Sequence, residues 1–284
     1  MRTPRRIALL IASALLSSLT VLSAPAPDAP VPPVGLDRSC AADLADSLTR
    51  SDVVVLGCEP GVRGRAVVAL GDPATAAHVV VLVPGAGIDL HTLNDPDHPL
   101  KRPFGWAEDV RDASPDTAVV LWVGYPTPTG VDVDAATGRL ARSGVPALVR
   151  EVTDLHVANP AATMTVVGHS YGTVLVGLAA PALPADDLVF LASPGVRVDD
   201  VAGLRTSARV WAARAADDWI RFMPHLRIGD LGHGGDPVSP GFGAHLLPTD
   251  GAHGHDGYLV PGSATLAALA GVITAGGSTT PRAA

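Results

Sequence analysis

Dense runs of β-branched residues alternate along this chain with stretches of helical spacing. Arg65-Ala66-Val67-Val68-Ala69-Leu70, His78-Val79-Val80-Val81-Leu82-Val83 and Thr117-Ala118-Val119-Val120-Leu121-Trp122-Val123 are almost wholly apolar. Such runs predict strands buried on both faces of a parallel sheet. Met164-Thr165-Val166-Val167, Asp187 to Ala192 and Ala208 to Ala213 extend the set, and Gly243 to Leu247 closes it. Between the strands, Phe104 to Asp112 reads as a short helix. Val145, Leu148, Val149, Val152 and Leu155 give helical spacing within 132–158, and Thr173 to Ala180 is a third helical stretch. Ser263 to Ile273 reads as a closing helix with Ser263 as its N-cap. Strand alternating with helix predicts an α/β protein: a mostly parallel central sheet of about eight strands, flanked by helices and linked by right-handed crossovers.

The two ends depart from this pattern. Arg2, Arg5 and Arg6 precede an uncharged, largely apolar run from Ile7 to Leu22, and small residues Ser23, Ala24 and Ala26 follow. That three-part layout predicts a secretory signal over residues 1–24, and the run is short for a membrane span of about 20 residues. No stable span is expected after cleavage, and the mature protein is expected outside the cytoplasm, with an uncleaved membrane anchor as the less favoured alternative. Residues 25–38, rich in Pro and Ala, read as a stiff linker, 39–276 as one catalytic-size domain, and 277–284 as a disordered tail. The chain holds two cysteines, Cys40 and Cys58, and in an exported protein they predict one disulfide. Formal charge is −8, and it becomes −11 without the three arginines of the leader. An acidic body without a basic stripe argues against nucleic acid as a partner and makes polyanionic lipid surfaces unfavourable.

Gly168-His169-Ser170-Tyr171-Gly172 lies between a strand and a helix. In that context a Gly-x-Ser-x-Gly turn lifts a serine hydroxyl above the carboxyl end of a sheet. Ser170 is therefore the candidate nucleophile, and the Tyr171 amide a donor to a developing oxyanion. Pro84-Gly85-Ala86-Gly87, directly after a buried strand, offers a second donor: Ala86, with Gly85 as the alternative. An acid is expected just past the strand ending at Ala213. Asp218 is chosen because it precedes the apolar pair Trp219-Ile220, with adjacent Asp217 the alternative and Asp199 or Asp200 weaker ones. A base is expected on the loop before the closing helix, where His255 is preferred and His253 is the runner-up. His225, Asp230, His233 and Asp236 match no standard ligand spacing, so neither a metal nor a cofactor is expected.

Ser170, Asp218, His255 is the triad order of α/β-hydrolases. The chain resembles the actinobacterial α/β-hydrolases of the DUF1023 family. The resemblance is carried by Val81 to Gly85, Leu121 to Tyr125, Val166 to Gly172, Ala216 to Ile220, Asp236 to Gly243 and Gly254 to Tyr258. It implies the α/β-hydrolase fold and a serine triad, and it favours His255 over His253. The expected function is a secreted serine hydrolase that cleaves a carboxylic ester through an acyl-enzyme. Acyl transfer or peptidase activity on the same triad, or a catalytically silent binding scaffold, are the alternatives. The expected partner is a small-molecule or lipid-like ester. Ile88, Leu90, Tyr171, Trp219, Met223, Phe242 and Tyr258 are the candidates for an apolar pocket. The short connection between 192 and 208 leaves no room for a large cap, so the site is expected open or covered by 221–242.

Overall fold

The structure is a computed structural model and describes residues 29–275. The expected leader, the first residues of the linker and the C-terminal tail lie outside the described residues. Eight strands form the main sheet: β1 (Val53–Glu59), β2 (Arg65–Leu70), β3 (His78–Val83), β4 (Thr117–Val123), β5 (Thr163–His169), β6 (Asp187–Leu191), β7 (Arg209–Ala213) and β10 (His245–Leu246). Their spatial order is β1-β2-β4-β3-β5-β6-β7-β10. The β1–β2 and β2–β4 pairings are antiparallel, and every pairing from β4 to β10 is parallel. This is the α/β-hydrolase fold. The remaining strands, β8 (Arg227–Ile228) and β9 (Leu231–Gly232), make a separate two-stranded hairpin.

The alternation of side chains along each strand builds two cores. On one face Val79, Val81 and Val83 pack with helices α3 (Arg139–Ala158) and α4 (Tyr171–Ala179). On the other face Val80 and Leu82 pack with α1 (Arg38–Ser47), α2 (Pro103–Ala113) and α5 (Ala264–Ala275). A strand with helices on both sides cannot alternate polar and apolar, which is why β3 reads as unbroken Val and Leu. Ser263 caps α5 as expected, its hydroxyl accepting from the Leu266 amide at 3.2 Å.

Three local expectations change. The helix placed within 132–158 begins only at Arg139, because Asp132 closes a turn by accepting from the Ala135 amide at 2.9 Å. The last strand shrinks from 243–247 to His245–Leu246, an edge pairing with β7. Part of the stretch read as linker lies on the domain: Val31 donates its amide to Ser143 O, and Cys58 donates to Gly35 O. Cys40 on α1 and Cys58 on β1 form the expected disulfide, with Cα atoms 5.7 Å apart. It fastens the amino-terminal helix to the antiparallel edge of the sheet. In the loop-entropy account an 18-residue closure is worth roughly 3 kcal/mol. Replacing both cysteines by alanine is expected to lower Tm by about 6–12 °C. Thermal melts with and without reductant check this: reductant lowers the parent's Tm and leaves the double variant's unchanged.

Candidate active site

The site is built where β5 ends. Ser170 has φ 53° and ψ −127°, a left-handed conformation rare for a residue with a side chain. It sits between β5 and α4, and its amide donates to Leu191 O at 2.9 Å. The flanking glycines leave room for this turn. A Cβ on Gly168 would stand 2.8 Å from the Thr173 Cα, and one on Gly172 would stand 2.2 Å from the Val83 carbonyl oxygen. The second crowding comes from the neighbouring strand β3, which the sequence reading had not named. Gly85 packs against Ser170 just as closely, its notional Cβ lying 2.7 Å from the Ser170 Cβ and 2.9 Å from the Tyr171 amide nitrogen. The loop after β3 thus lies beside the Tyr171 amide, and Tyr125 holds it there by donating its buried hydroxyl to Pro84 O at 2.9 Å.

Ser170, His255 and Asp218 form one hydrogen-bonded chain. Ser170 Oγ is 2.8 Å from His255 Nε2, and His255 Nδ1 is 2.8 Å from Asp218 Oδ1. Asp218 is fully buried and accepts two further bonds, from the Ile220 amide at 2.9 Å and the Tyr258 hydroxyl at 2.6 Å. Burial alone would raise its pKa, but the bonds from His255, Tyr258 and Ile220 outweigh it and hold the carboxyl below its usual value. Asp217 points outward, accepting from the Gly254 amide at 2.9 Å and lying 3.5 Å from His253. Those two side chains are 56% and 80% exposed, so they form a solvated pair away from Ser170. Asp199 and Asp200 are exposed as well. The four residues weighed for a metal are dispersed. Asp230 is held by Arg142 and Arg197, Asp236 by Arg214 with His225 beside it, and His233 reaches Ala135 O. Among the described residues, His169, His255 and Asp256 place possible ligand atoms within 4.8 Å of one another. Both ring nitrogens of His255 are already engaged, by Ser170 and Asp218.

Sequence reading missed two supports. Tyr258, taken as a pocket candidate, instead bridges Asp218 and the Ala215 amide. His169, the residue before the serine, donates Nε2–H to His255 O at 2.7 Å and packs 4.6 Å from the Trp106 ring. It therefore positions the backbone of the loop that carries His255. The aromatic environment left no signal, because Trp106 and Tyr258 come from distant segments.

A cavity of about 500 Å³ opens over Ser170. Ile88, Tyr171, Trp219 and Met223 line it, as expected, but Leu90 and Phe242 do not. Phe242 is core, and Leu90 packs against Gly64. One wall is the strap 219–233, whose Leu226, Ile228 and Leu231 face both cavity and solvent. Asp230 anchors the strap through Arg142 and Arg197 at 2.6 and 2.8 Å. The strap is a narrow wall that overlaps the expected 221–242 region but starts two residues earlier, at Trp219, and it is not a separate cap domain.

A family profile described as alpha/beta hydrolase matches residues 59–228. The chain belongs to that family. Two uncharacterized Mycobacterium tuberculosis proteins, from strains CDC 1551 and H37Rv, are each 32% identical over 281 residues. These alignments take in 86% of this chain, which spans 42% of the length of those relatives. Among solved structures, esterase PE8 is 16% identical, covering 73% of this chain and 97% of its own, at a TM-score of 0.48. A lidless α/β serine hydrolase from Xanthomonas campestris is 18% identical, with 82% and 99% covered and a TM-score of 0.45. A carboxylesterase from Mesorhizobium loti is also 18% identical, with 79% and 99% covered and a TM-score of 0.46.

The stability of this alpha/beta hydrolase family member is linked to His169. Burial, then the charge of His255, pushes its pKa down to about 4. The unfolded chain takes up the proton near the ordinary value of about 6.5. Stability is therefore full above that value and is lost as pH falls toward 4, by about 3 kcal/mol. Urea unfolding at pH 7, 5.5 and 4.5 checks this, and His169→Gln is expected to flatten the decline.

Proposed function

We propose that this α/β hydrolase is a secreted serine esterase using Ser170, His255 and Asp218. The observation that carries the reading is the unbroken chain from Ser170 Oγ to the buried Asp218, at the floor of an apolar cavity. Asp218 keeps Nδ1 of His255 protonated, leaving Nε2 free to take the serine proton. As it does so, Ser170 Oγ bonds the acyl carbon and the carbonyl electrons move onto oxygen. The amides of Tyr171 and Ala86 stabilise that oxyanion, with Gly85 packed against the Tyr171 amide nitrogen. Collapse expels the alcohol, which takes its proton from His255 and leaves an acyl-enzyme. Water then gives a proton to His255 and attacks the acyl carbon, and the serine leaves with that proton. The apolar lining suits an acyl chain better than a peptide backbone, whose polar groups would need partners there. The disulfide supports a place outside the reducing cytoplasm.

A fluorophosphonate probe tests the nucleophile. Labelling of the parent is expected, with loss in Ser170→Ala and in His255→Ala. An unlabelled, folded parent overturns the serine-hydrolase reading, and faster turnover of anilides than of p-nitrophenyl esters overturns the ester assignment. The adjacent acids give a sharper test. Asp218→Asn is expected to lower kcat about 10,000-fold on p-nitrophenyl butyrate. Asp217→Asn, on the solvated outer pair, is expected to stay within about threefold of the parent.

A further inference from the structure

Lys101 is the single lysine among 20 basic residues of the chain, and it lines the cavity over Ser170. Most of the described arginines are spent on carboxylates, as in the pairs Arg65–Glu59, Arg142–Asp230, Arg209–Asp187 and Arg214–Asp236. Lys101 has no carboxylate within 4.0 Å and no hydrogen-bond partner among the described residues. Its ammonium rests on the backbone of Gly87, where a Cβ would stand 2.8 Å from Nζ. Gly87 has φ 76°, so glycine suits both the turn and the space the ammonium fills. Gly87 belongs to the loop whose Gly85 abuts Ser170 and the Tyr171 amide. One short backbone segment therefore joins the cation to the expected reacting centre. Asp256 is the one carboxylate lining the cavity, and it lies 3.8 Å from His169 Nε2.

We infer that Lys101 forms an anion subsite, and that the preferred substrate is an ester with an apolar chain and one carboxylate or phosphate group. This rests on the esterase reading and names the substrate class for that site. Lys101 is a half-buried residue with no carboxylate of its own beside an apolar wall, and a substrate anion there gains a charge-assisted bond to its ammonium. Lysine suits the task because its compact charge carries three rotatable donors and does not demand planar, two-point docking. The apolar portion has its own wall in Val131, Leu226, Ile228 and Leu231. The net charge of −8 does not oppose this at contact range, since salt screens remote charges beyond about 8 Å.

A single lysine makes the subsite directly observable. The Ser170→Ala protein, reductively methylated with ¹³C-formaldehyde, carries one lysine resonance. Titration with monomethyl glutarate or with monobutyl phosphate is expected to shift it saturably, while methyl butyrate leaves it in place. A response to one anion alone identifies carboxylate or phosphate as the source, and a response to both identifies a general anion site. In the active enzyme, Lys101→Met is expected to lower kcat/KM for mono-p-nitrophenyl glutarate, relative to p-nitrophenyl butyrate, by about 10- to 100-fold. Lys101→Arg is expected to restore most of that ratio. A resonance indifferent to both anions, or an unchanged ratio in Lys101→Met, overturns the subsite. Absence of ester turnover with a persisting anion response overturns the esterase reading and leaves the subsite standing.

Discussion

The strained backbone of Ser170 is the constraint on which the site depends. A side-chain-bearing residue held at φ 53° and ψ −127° costs about 1–3 kcal/mol and persists only where its surroundings leave no alternative. Those surroundings come from four directions. The Leu191 carbonyl holds the Ser170 amide from β6, α4 starts at once, Gly168 passes under Thr173, and the loop after β3 packs its Gly85 against Ser170. Parallel pairing of β3, β5 and β6 is what brings three strand ends to one edge. The strain at one residue is thus offset by the packing of the central sheet.

The same edge explains why two neighbouring Asp–His pairs differ so sharply. Asp217 and Asp218 face opposite ways as the chain leaves β7, and so do His253 and His255. The inner pair is enclosed by Tyr258 and Ile220, with Trp219 4.6 Å from the His255 ring. The outer pair meets water, where an ion pair contributes little. Enclosure leaves the imidazole held in one orientation by the buried carboxylate. Asp218 remains a carboxylate there because its hydrogen bonds exceed the penalty of burial.

The cavity extends this logic to recognition. Its wall is the strap 219–233, tied down by Asp230 between Arg142 and Arg197. The arginine–carboxylate pairs hold backbone in place, and the one lysine is left facing the cavity. The paired arginines and the proposed recognition cation, Lys101, are in this way separated by residue type as well as by position.

Much of this was legible along the chain. β3, β4 and β5 announced themselves as β-branched runs because burial on both faces leaves no polar position. Gly168 to Gly172 marked the turn because only glycines tolerate its close approaches. The choice of Asp218 over Asp217 also followed from a local cue, the apolar pair after it, of which Ile220 is buried while Trp219 stays exposed beside the cavity. Other features were not local. β1 was not read as a strand; on its antiparallel edge, exposed Val54 and Leu56 interleave with half-buried Val53 and Val55. The roles of His169 and Tyr258 depend on partners 86 and 40 residues away. The apolar residues near the motifs divided between cavity and core only when the strap was in place. Sequence determined the order of elements, the strained turn and the chemistry available, because those depend on burial period and side-chain type. Tertiary structure alone decided which groups are enclosed together, because enclosure depends on segments that meet only when the sheet has formed.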